Sequence, residues 1–475
     1  MASTHVASLS GIRVARRARA RAAQGLAPDE LAVLASHAHT ATAIPELQRL
    51  QQVATSLQLT GPDGSIGPEP KRVRRLQKAH HCYVCKQAYQ VLHHFYEHLC
   101  TSCGDRNYAH RSTTRDLTGR IAVVTGGRLK IGFEVVVLLL RAGAEVYATT
   151  RFPRDAQRRF ARLPDYDEIQ SRLHLIGTAD FSNLGAVQAL AHHLSTSLPR
   201  LDILINNACQ TITHDAHYMQ LLHQRETMGG GSERPSLALA DTVMKALTLP
   251  AASVASEAPS PSTKVVMLSN RPHQQALLEE QAAVTEPSLL QQLGAQVEGT
   301  ATSALLNEHG EPCDLRACNT WTMPNEVVPT TEVLSTVTAN YLAPRTLTLA
   351  LLPLLRANPR HEAHIIQVSA MEGKYSAFKT GFHSHTNEAK AALNMLVRTM
   401  HAHEARHGVY MNSVDTGWVT NEYPLTQSAT AVPNPPLDEV DGAARVLHPI
   451  MADLRGANGQ PVHGMFFKDY KPTDW

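Results

Sequence analysis

The stretch that decides the fold is Ile121-Ala122-Val123-Val124-Thr125-Gly126-Gly127-Arg128-Leu129-Lys130-Ile131-Gly132. The apolar run at its start predicts a buried β-strand that ends at Thr125. The glycines predict a tight turn, and the apolar residues after Gly132 predict a helix that extends to Ala142. A strand, a glycine-rich turn and a helix N-terminus in this order are suited to binding the pyrophosphate of a dinucleotide.

Strands and helices alternate on the carboxyl side of this turn, which predicts parallel strands joined by right-handed crossovers. Strands are predicted at 145–149, 173–177, 201–206, 364–368 and 409–414, and helices at 155–162, 184–197, 332–355 and 387–404. The alternation stops between Asn207 and about Pro329. Gly229-Gly230-Gly231-Ser232 and the Ala/Ser/Pro-rich stretch 251–262 predict a partly disordered insertion there, with one candidate strand at 264–268.

Two cysteine pairs precede the strand: Cys82-Tyr83-Val84-Cys85 and, fourteen residues later, Cys100-Thr101-Ser102-Cys103. Four thiolates in two knuckles complete a tetrahedral zinc shell, and the aromatic residues between them provide a small core. Four sulfur ligands leave no open coordination position, so the spacing favours a structural zinc over a catalytic one. The alternative is a chance group of buried cysteines. The five histidines at 80, 81, 93, 94 and 98 are interpreted as surface residues.

Length and composition restrict the classes of protein. The 475 residues are 43% apolar and carry a formal net charge of +2, which allows one large domain with appendages and does not call for nucleic acid or an anionic membrane as a partner. The basic run 71–75 leaves nucleic-acid binding as a disfavoured alternative, because such runs are usually solvated linkers. No stretch is long enough to span a membrane. Seven cysteines, four of them paired in knuckles, favour a reducing, cytoplasmic compartment. The alternative is an organelle, since the N-terminus is rich in arginine and has no acidic residue before Asp29.

Six ordered segments together resemble the short-chain dehydrogenase/reductase family over about residues 116–425. They are Thr125-Gly126 with Ile131-Gly132, Asp180 after the third strand, Leu201-Asp202-Ile203-Leu204-Ile205-Asn206-Asn207-Ala208, Asn340, Lys390-Ala391-Ala392-Leu393-Asn394-Met395-Leu396, and Asn412-Ser413-Val414-Asp415-Thr416-Gly417. The resemblance implies an α/β fold, a Rossmann-like doubly wound parallel sheet. The chain resembles a divergent branch of the family with an N-terminal zinc-binding module, and it also has the long insertion.

The expected organisation has four parts. Residues 1–77 form an N-terminal tail with short helices at 29–43 and 45–57, and residues 78–110 form the four-cysteine module. Residues 116–425 form the Rossmann domain with its insertion at about 211–329, and residues 426–475 form a segment on the substrate side. The resemblance favours a homodimer or homotetramer.

The resemblance also implies a cofactor site. Thr125, Gly126, Ile131 and Gly132 would surround the pyrophosphate, Asp180 would face the adenine, and Asn206 would lie beneath the adenosine ribose. Arg151 follows the second strand where a 2′-phosphate would bind, and no acidic residue stands there for a free 2′-hydroxyl, so NADP(H) is favoured over NAD(H). Arg128 and Lys130 would add positive charge near the phosphates. Lys130 replaces an expected glycine, which predicts crowding or a rearranged turn. The alternative is a turn that binds no ligand.

The catalytic group departs from the family. The resemblance implies that Lys390 holds the nicotinamide ribose and that Asn340 positions a water near it, but it places Thr386 and Ala370 where a Tyr and a Ser are expected. A threonine hydroxyl has too high a pKa to replace a phenol as an acid. Three nearby residues are candidate substitutes, Tyr375, His385 and Ser369, although each also suits a structural role in a loop.

Two functions follow from these residues. The first is a divergent oxidoreductase that transfers hydride between NADP(H) and a small carbonyl or alcohol substrate with an altered proton donor. The second is a catalytically inactive scaffold that binds nucleotide or another protein. The residues do not identify the substrate.

Overall fold

The computed structural model describes residues 75–178, 180–214, 216–227, 307, 309–314, 316–424 and 434–475. The predicted helices at 29–43 and 45–57, most of the basic run 71–75 and the candidate strand at 264–268 lie outside these residues. No helix in the described ranges is both long enough and apolar enough to cross a membrane.

The central sheet contains eight strands in the described part of the chain, in the spatial order β10-β9-β8-β7-β6-β3-β4-β5. Their bounds are β3 (Ile121–Thr125), β4 (Glu145–Thr150), β5 (Leu173–Gly177), β6 (Ile203–Asn206), β7 (Ala363–Ser369), β8 (Val409–Asp415), β9 (Phe466–Lys468) and β10 (Lys471–Thr473). All neighbouring pairs are parallel except β9 and β10. Strand order reverses at β3, between β4 and β6, so a ligand crevice is expected at the carboxyl ends of these strands. The predicted doubly wound sheet is confirmed.

Helices cover both faces of the sheet. Their bounds are α2 (Lys130–Arg141), α3 (Pro153–Phe160), α4 (Tyr166–Ile169), α5 (Leu184–Ser197), α6 (Ala216–Thr227), α7 (Thr330–Val337), α8 (Ala343–Arg356), α9 (Ser384–Ala405) and α10 (Glu439–Met451). Apolar side chains of α2 and α10 pack on one face, and those of α5, α8 and α9 on the other. These strands are apolar on both faces because neither face meets water.

The helix predicted at 332–355 is interrupted. A π-helical turn over Thr338–Leu342 separates α7 from α8. Pro344 has no N–H to donate to the carbonyl of Asn340, four residues earlier, which favours the wider turn. The interruption falls at Asn340, one of the predicted site residues.

The four-cysteine module lies at the amino end of the described chain. It consists of an antiparallel pair, β1 (Arg75–His81) and β2 (Ala88–Val91), and of helix α1 (Thr101–His110). Its buried residues, Tyr96 and Leu99 among them, pack against Val419 and Leu437 of the Rossmann domain. Module and domain therefore share one apolar cluster.

Polar contacts join the same two parts. Arg111 lies 2.6 Å from the Asp438 carboxylate and 2.9 Å from that of Asp441, and the Tyr96 hydroxyl also donates to Asp441. These acids stand at the start of α10. The C-terminal segment expected beside the substrate thus supplies α10, which contacts the module, and β9 and β10, which extend the sheet.

Candidate functional site

The glycine-rich turn between β3 and α2 keeps the close backbone packing that a dinucleotide site needs. Gly126 has a φ of +72°, and a Cβ added to Gly132 would lie 2.1 Å from the carbonyl oxygen of Gly126. The Asn207 side chain donates to the carbonyls of Thr125 and Gly126 at 3.1 and 3.3 Å, and the Thr125 hydroxyl accepts the Ala208 N–H at 2.9 Å. The ends of β3 and β6 are therefore held together on both sides of the crevice.

Lys130 stands where the family pattern has a glycine, yet the turn is not unwound. Its φ is +54°, the left-handed conformation that glycine adopts most easily. A lysine in this conformation costs about 1–2 kcal/mol. Its ammonium group lies 3.9 Å from the Glu422 carboxylate. Crowding of a bound pyrophosphate by Lys130 stays a prediction.

The side chains of Lys390, on α9, and Asn340, in the π-helical turn, contact residues at or just after the carboxyl ends of β7 and β6. Lys390 is only 5% exposed, and its ammonium group donates to the carbonyl oxygen of Val368 at 2.9 Å. The buried Asn340 amide bonds Gln210 twice, since it accepts from the backbone N–H and donates to the carbonyl oxygen, both at 2.7 Å. Lys390 thus reaches the carboxyl end of β7, and Asn340 fixes the loop after β6.

Three further polar side chains are buried near this end of β7 and at the start of α9. Among the described residues, neither the Ser369 hydroxyl nor the Thr386 hydroxyl has a hydrogen-bond partner. His385 is almost fully buried, and burial lowers the pKa of its imidazole although the nearby Glu332 and Glu388 carboxylates oppose the shift. Buried polar atoms are normally paired, so these hydroxyls require a ligand or water to complete them.

Tyr375, another candidate proton donor, lies elsewhere. It is 78% exposed, in a loop whose Phe378 is also exposed. Tyr375 therefore differs from Ser369, His385 and Lys390, which are all buried. Catalysis by Tyr375 would require this loop to move, because a general acid has to reach the reacting oxygen.

The basic residues predicted at the phosphates are already paired. Arg151 lies 2.5 Å from the Asp180 carboxylate. Asp180, expected beside the adenine, therefore neutralises Arg151, expected at the 2′-phosphate. Arg128 forms a two-point ion pair with Glu311 at 2.9 and 2.7 Å and also binds Asp155 at 2.8 Å. Arg128 is therefore paired within the chain, and its expected role at the phosphates stays a prediction.

Asn206, expected beneath the adenosine ribose, is the last residue of β6. Its amide nitrogen donates to the Thr348 hydroxyl at 3.1 Å, and its amide oxygen has no partner within the described ranges. Lys390, Asn340, Asn206 and the glycine-rich turn therefore meet at one edge of the sheet.

Sequence comparison gives the family. The family model described as short chain dehydrogenase matches residues 120–229 and 313–430, and the break between them falls within the predicted insertion. The chain belongs to the short-chain dehydrogenase/reductase family.

Individual relatives cover the chain unevenly. Protein R665 of Acanthamoeba polyphaga mimivirus, described as uncharacterized, is 29% identical over 385 residues, which are 78% of this chain and 71% of that protein. The 3-oxoacyl-acyl-carrier-protein reductase of rhamnolipid biosynthesis from Pseudomonas aeruginosa is 39% identical over 92 residues, 19% of this chain and 34% of that reductase. Among solved structures, the RhlG/NADP active-site complex of Pseudomonas aeruginosa has a TM-score of 0.41 at 18% identity and covers 74% of this chain and 95% of that one.

The four cysteines of this short-chain dehydrogenase/reductase form one cluster. Their sulfur atoms all lie within 4.8 Å of one another, and those of Cys85 and Cys100 are 3.8 Å apart. Zinc–sulfur bonds of about 2.3 Å in a tetrahedron place the sulfurs about 3.8 Å apart. The donor set therefore fits a zinc ion.

His93 differs from the other histidines of the module, since His80, His81 and His94 are exposed. Its Nδ1 accepts the backbone N–H groups of Phe95 and Tyr96 at 3.1 and 3.2 Å, and its Nε2 lies 3.1 Å from Asp105. The ring is buried rather than on the surface as predicted, and these contacts give it a structural role in the module.

Some contacts at the site could not be found from the sequence. The Glu332 carboxylate accepts from the Thr213 N–H at 2.7 Å and from the Thr320 hydroxyl at 2.9 Å. Glu226 accepts from backbone N–H groups in the first turn of α3, and Glu311 accepts from Arg128. All three acids have partners distant in sequence or lie beside the insertion, where no periodic pattern guided the interpretation.

Proposed function

We propose that the chain is a divergent short-chain oxidoreductase that transfers hydride between NADP(H) and a small carbonyl or alcohol substrate. The observation that carries the proposal is the buried Lys390 ammonium group, which donates to the carbonyl of Val368. The following residue is Ser369, whose hydroxyl has no hydrogen-bond partner in the part of the chain that the structure describes. The glycine-rich turn lies at the same edge of the sheet. Relatives named reductases and dehydrogenases match about a fifth of the chain.

Ser369 at the end of β7 and two residues of α9, His385 and Lys390, have different roles in this proposal. When bound, NADP(H) supplies or accepts the hydride. Lys390 binds the ribose hydroxyls beside the nicotinamide, and the Ser369 hydroxyl donates to the substrate oxygen. His385 exchanges a proton with that oxygen. Because burial lowers the pKa of His385, its imidazole is neutral near pH 7 and suits the role of base in alcohol oxidation.

The fit to NADP(H) is good at the turn and incomplete at the cations. Gly126 and Gly132 let the turn pack closely against Ala208 and Asn207, as the glycines of a dinucleotide-binding turn do. Arg151 is the basic residue nearest the expected 2′-phosphate, and about a third of its side chain is exposed. Arg128 is held by Glu311 and is assigned no phosphate.

Titration of the full chain with NADPH, followed by the change in nicotinamide fluorescence, tests the cofactor. A panel of aldehydes, ketones and alcohols then tests turnover in the wild type and in the Lys390→Ala, His385→Ala and Tyr375→Phe variants. His403→Ala is the matched control, since His403 is exposed on the same helix. We expect Lys390→Ala to weaken NADPH binding and His385→Ala to lower the rate about 100-fold or more. Absence of NADPH binding at millimolar concentration would refute the proposal.

A second candidate is a pseudoenzyme that binds nucleotide without turnover. It is favoured by Thr386 and Ala370, which replace the expected Tyr and Ser, and by the pairing of Arg128 with Glu311. The same experiment separates the two: NADPH binding without hydride transfer to any substrate in the panel supports the pseudoenzyme. Hydride transfer unaffected by His385→Ala and Tyr375→Phe would remove both candidate proton donors.

We also propose that Cys82, Cys85, Cys100 and Cys103 bind a structural zinc ion. Metal analysis of the purified chain should give one zinc per molecule. Cys85→Ser should lower this content, whereas Cys209→Ser should not, because Cys209 is an exposed cysteine outside the module. Equal zinc content in the two variants would refute the site.

A further inference from the structure

A group of positive charges lies just beyond the carboxyl end of β4. The guanidinium carbons of Arg128 and Arg151 lie 5.0 and 5.6 Å from the centre of the Phe152 ring, so both cations flank one side chain. Helix α3 begins at the next residue, Pro153. Guanidinium groups and a helix N-terminus both attract anions, and we call Arg128, Arg151 and the first turn of α3 the cation cradle.

Two carboxylates from sequence-distant segments lie in the cation cradle. Glu226, near the end of α6, accepts the backbone N–H groups of Arg154 and Asp155 at 2.6 and 2.9 Å. Glu311, from the later part of the predicted insertion, holds Arg128 by two hydrogen bonds. Each carboxylate binds groups that would otherwise suit a phosphate.

The two carboxylates differ in how firmly they are held. Glu311 is buried and binds two arginines, since Arg159 also reaches it at 3.1 Å. Removing it would leave Arg128 buried without its strongest partner, which is costly. Glu226 is half-buried, and its two bonds come from backbone N–H groups at a helix end. Of the two, Glu226 is the one that a ligand can displace.

Neighbouring contacts place Glu226 close to the expected 2′-phosphate. On α6 the imidazole of His223 meets the Phe152 ring edge-on at 5.3 Å, so this helix covers the ring that both arginines flank. Arg151 is paired with Asp180 but remains partly exposed. A phosphate between Arg151 and the first turn of α3 would take the position that the Glu226 carboxylate now has.

We propose that the Glu226 carboxylate occupies the position of the 2′-phosphate of NADP(H), so that this cofactor binds only by displacing Glu226. NAD(H), which has a hydroxyl there, leaves Glu226 in place. Glu226 is therefore a specificity-determining residue. It lowers the affinity for NADP(H) relative to NAD(H), whereas Arg151 raises it. The inference rests on the proposed function, because it assumes that the crevice binds a nicotinamide dinucleotide.

The test compares ligands that differ only at the 2′ position. Dissociation constants for NADPH and NADH, and for adenosine 2′,5′-bisphosphate and adenosine 5′-monophosphate, are measured on the full chain and on the Glu226→Gln and Glu226→Ala variants. Glu168→Gln is the matched control, since Glu168 is exposed on α4. Circular dichroism verifies that each variant folds, and Glu226→Gln preserves the shape of the side chain should Glu226→Ala fail to fold.

We expect Glu226→Ala to tighten binding of the two 2′-phosphate ligands about tenfold and to leave the other two unchanged, with a smaller effect for Glu226→Gln. Binding of all four ligands with an unchanged preference would overturn the role of Glu226 and leave the proposed function standing. Weaker binding of NADPH to Glu226→Ala would overturn it also. Failure of every protein to bind any nucleotide would refute the proposed function together with this inference.

Discussion

Replacing Arg111 by methionine tests how the four-cysteine module is held to the Rossmann domain. The Arg111 side chain is 5% exposed, and its guanidinium group pairs with Asp438 and with Asp441, whose side chain is fully buried. Methionine keeps apolar contact with the Phe95 ring, over which the guanidinium lies at 4.7 Å. The substitution therefore removes the charge while retaining much of the packing.

The magnitude follows from the burial of Asp441. Breaking a buried ion pair by removing one partner costs about 3–5 kcal/mol, because the remaining charge is left without its partner. Burial already raises the pKa of Asp441. Loss of Arg111 raises this pKa further, and a raised carboxyl pKa contributes stability at low pH that is lost as the pH rises through the folded-state value. The variant should therefore lose more stability at pH 8 than at pH 5.

Urea unfolding at both pH values measures the effect. Arg106→Met is the matched control, because Arg106 is exposed on the same helix and should change the free energy of unfolding by less than about 0.5 kcal/mol. Adding Asp441→Asn to Arg111→Met should restore part of the loss, since asparagine is neutral. A loss below about 1 kcal/mol at pH 8, or no recovery in the double variant, would refute the argument.

Three further predictions concern stability. Gly132→Ala should lower the free energy of unfolding in urea by about 3 kcal/mol or more, because the new Cβ would lie 2.1 Å from a backbone oxygen. The control Gly381→Ala should be nearly neutral, since the space around its added carbon is open. Equal effects of the two substitutions would contradict this prediction. Lys130→Gly should relieve the left-handed backbone and stabilise the fold by up to about 1 kcal/mol, and a loss of that size would show that the lysine contacts matter more. Burial lowers the pKa of His448 to about 4, so the unfolded chain takes up a proton first as the pH falls below about 6.5, and this histidine should cost about 2 kcal/mol of stability between about pH 7.5 and about pH 5. His448→Gln should flatten the pH dependence of unfolding by that amount, and an unchanged slope would refute the assignment.

Local patterns predicted the scaffold because its physical causes are local. The apolar run before Thr125 and the glycines at 126 and 132 require a buried strand and a tight turn wherever they occur. The two cysteine pairs have the spacing of metal knuckles, and their sulfur atoms do lie together. The strands β9 and β10 escaped prediction because three residues each are too few to show a period.

The contacts that decide ligand binding are not local. Arg128 and Glu311 are 183 positions apart, and Glu311 lies within the predicted insertion. The sequence therefore predicted that Arg128 contributes its charge to a phosphate, although its guanidinium group is already paired with Glu311. The exposure of the Tyr375 side chain was not predictable either, because the distance of Tyr375 from Ser369 in the sequence does not give the direction of the side chain.

The two ends of the crevice differ in a way that bears on whether the chain turns over a substrate. At the expected adenosine end, Arg128 is paired with Glu311 and Arg151 with Asp180. At the nicotinamide end, the buried hydroxyls of Ser369 and Thr386 lack partners within the described residues. A buried hydroxyl left unpaired costs about 1–3 kcal/mol, and a bound ligand or an ordered water that pairs with it removes that cost. Under the proposed function a substrate oxygen and the ribose hydroxyls would be those partners, so this end of the crevice is where the oxidoreductase and the pseudoenzyme differ.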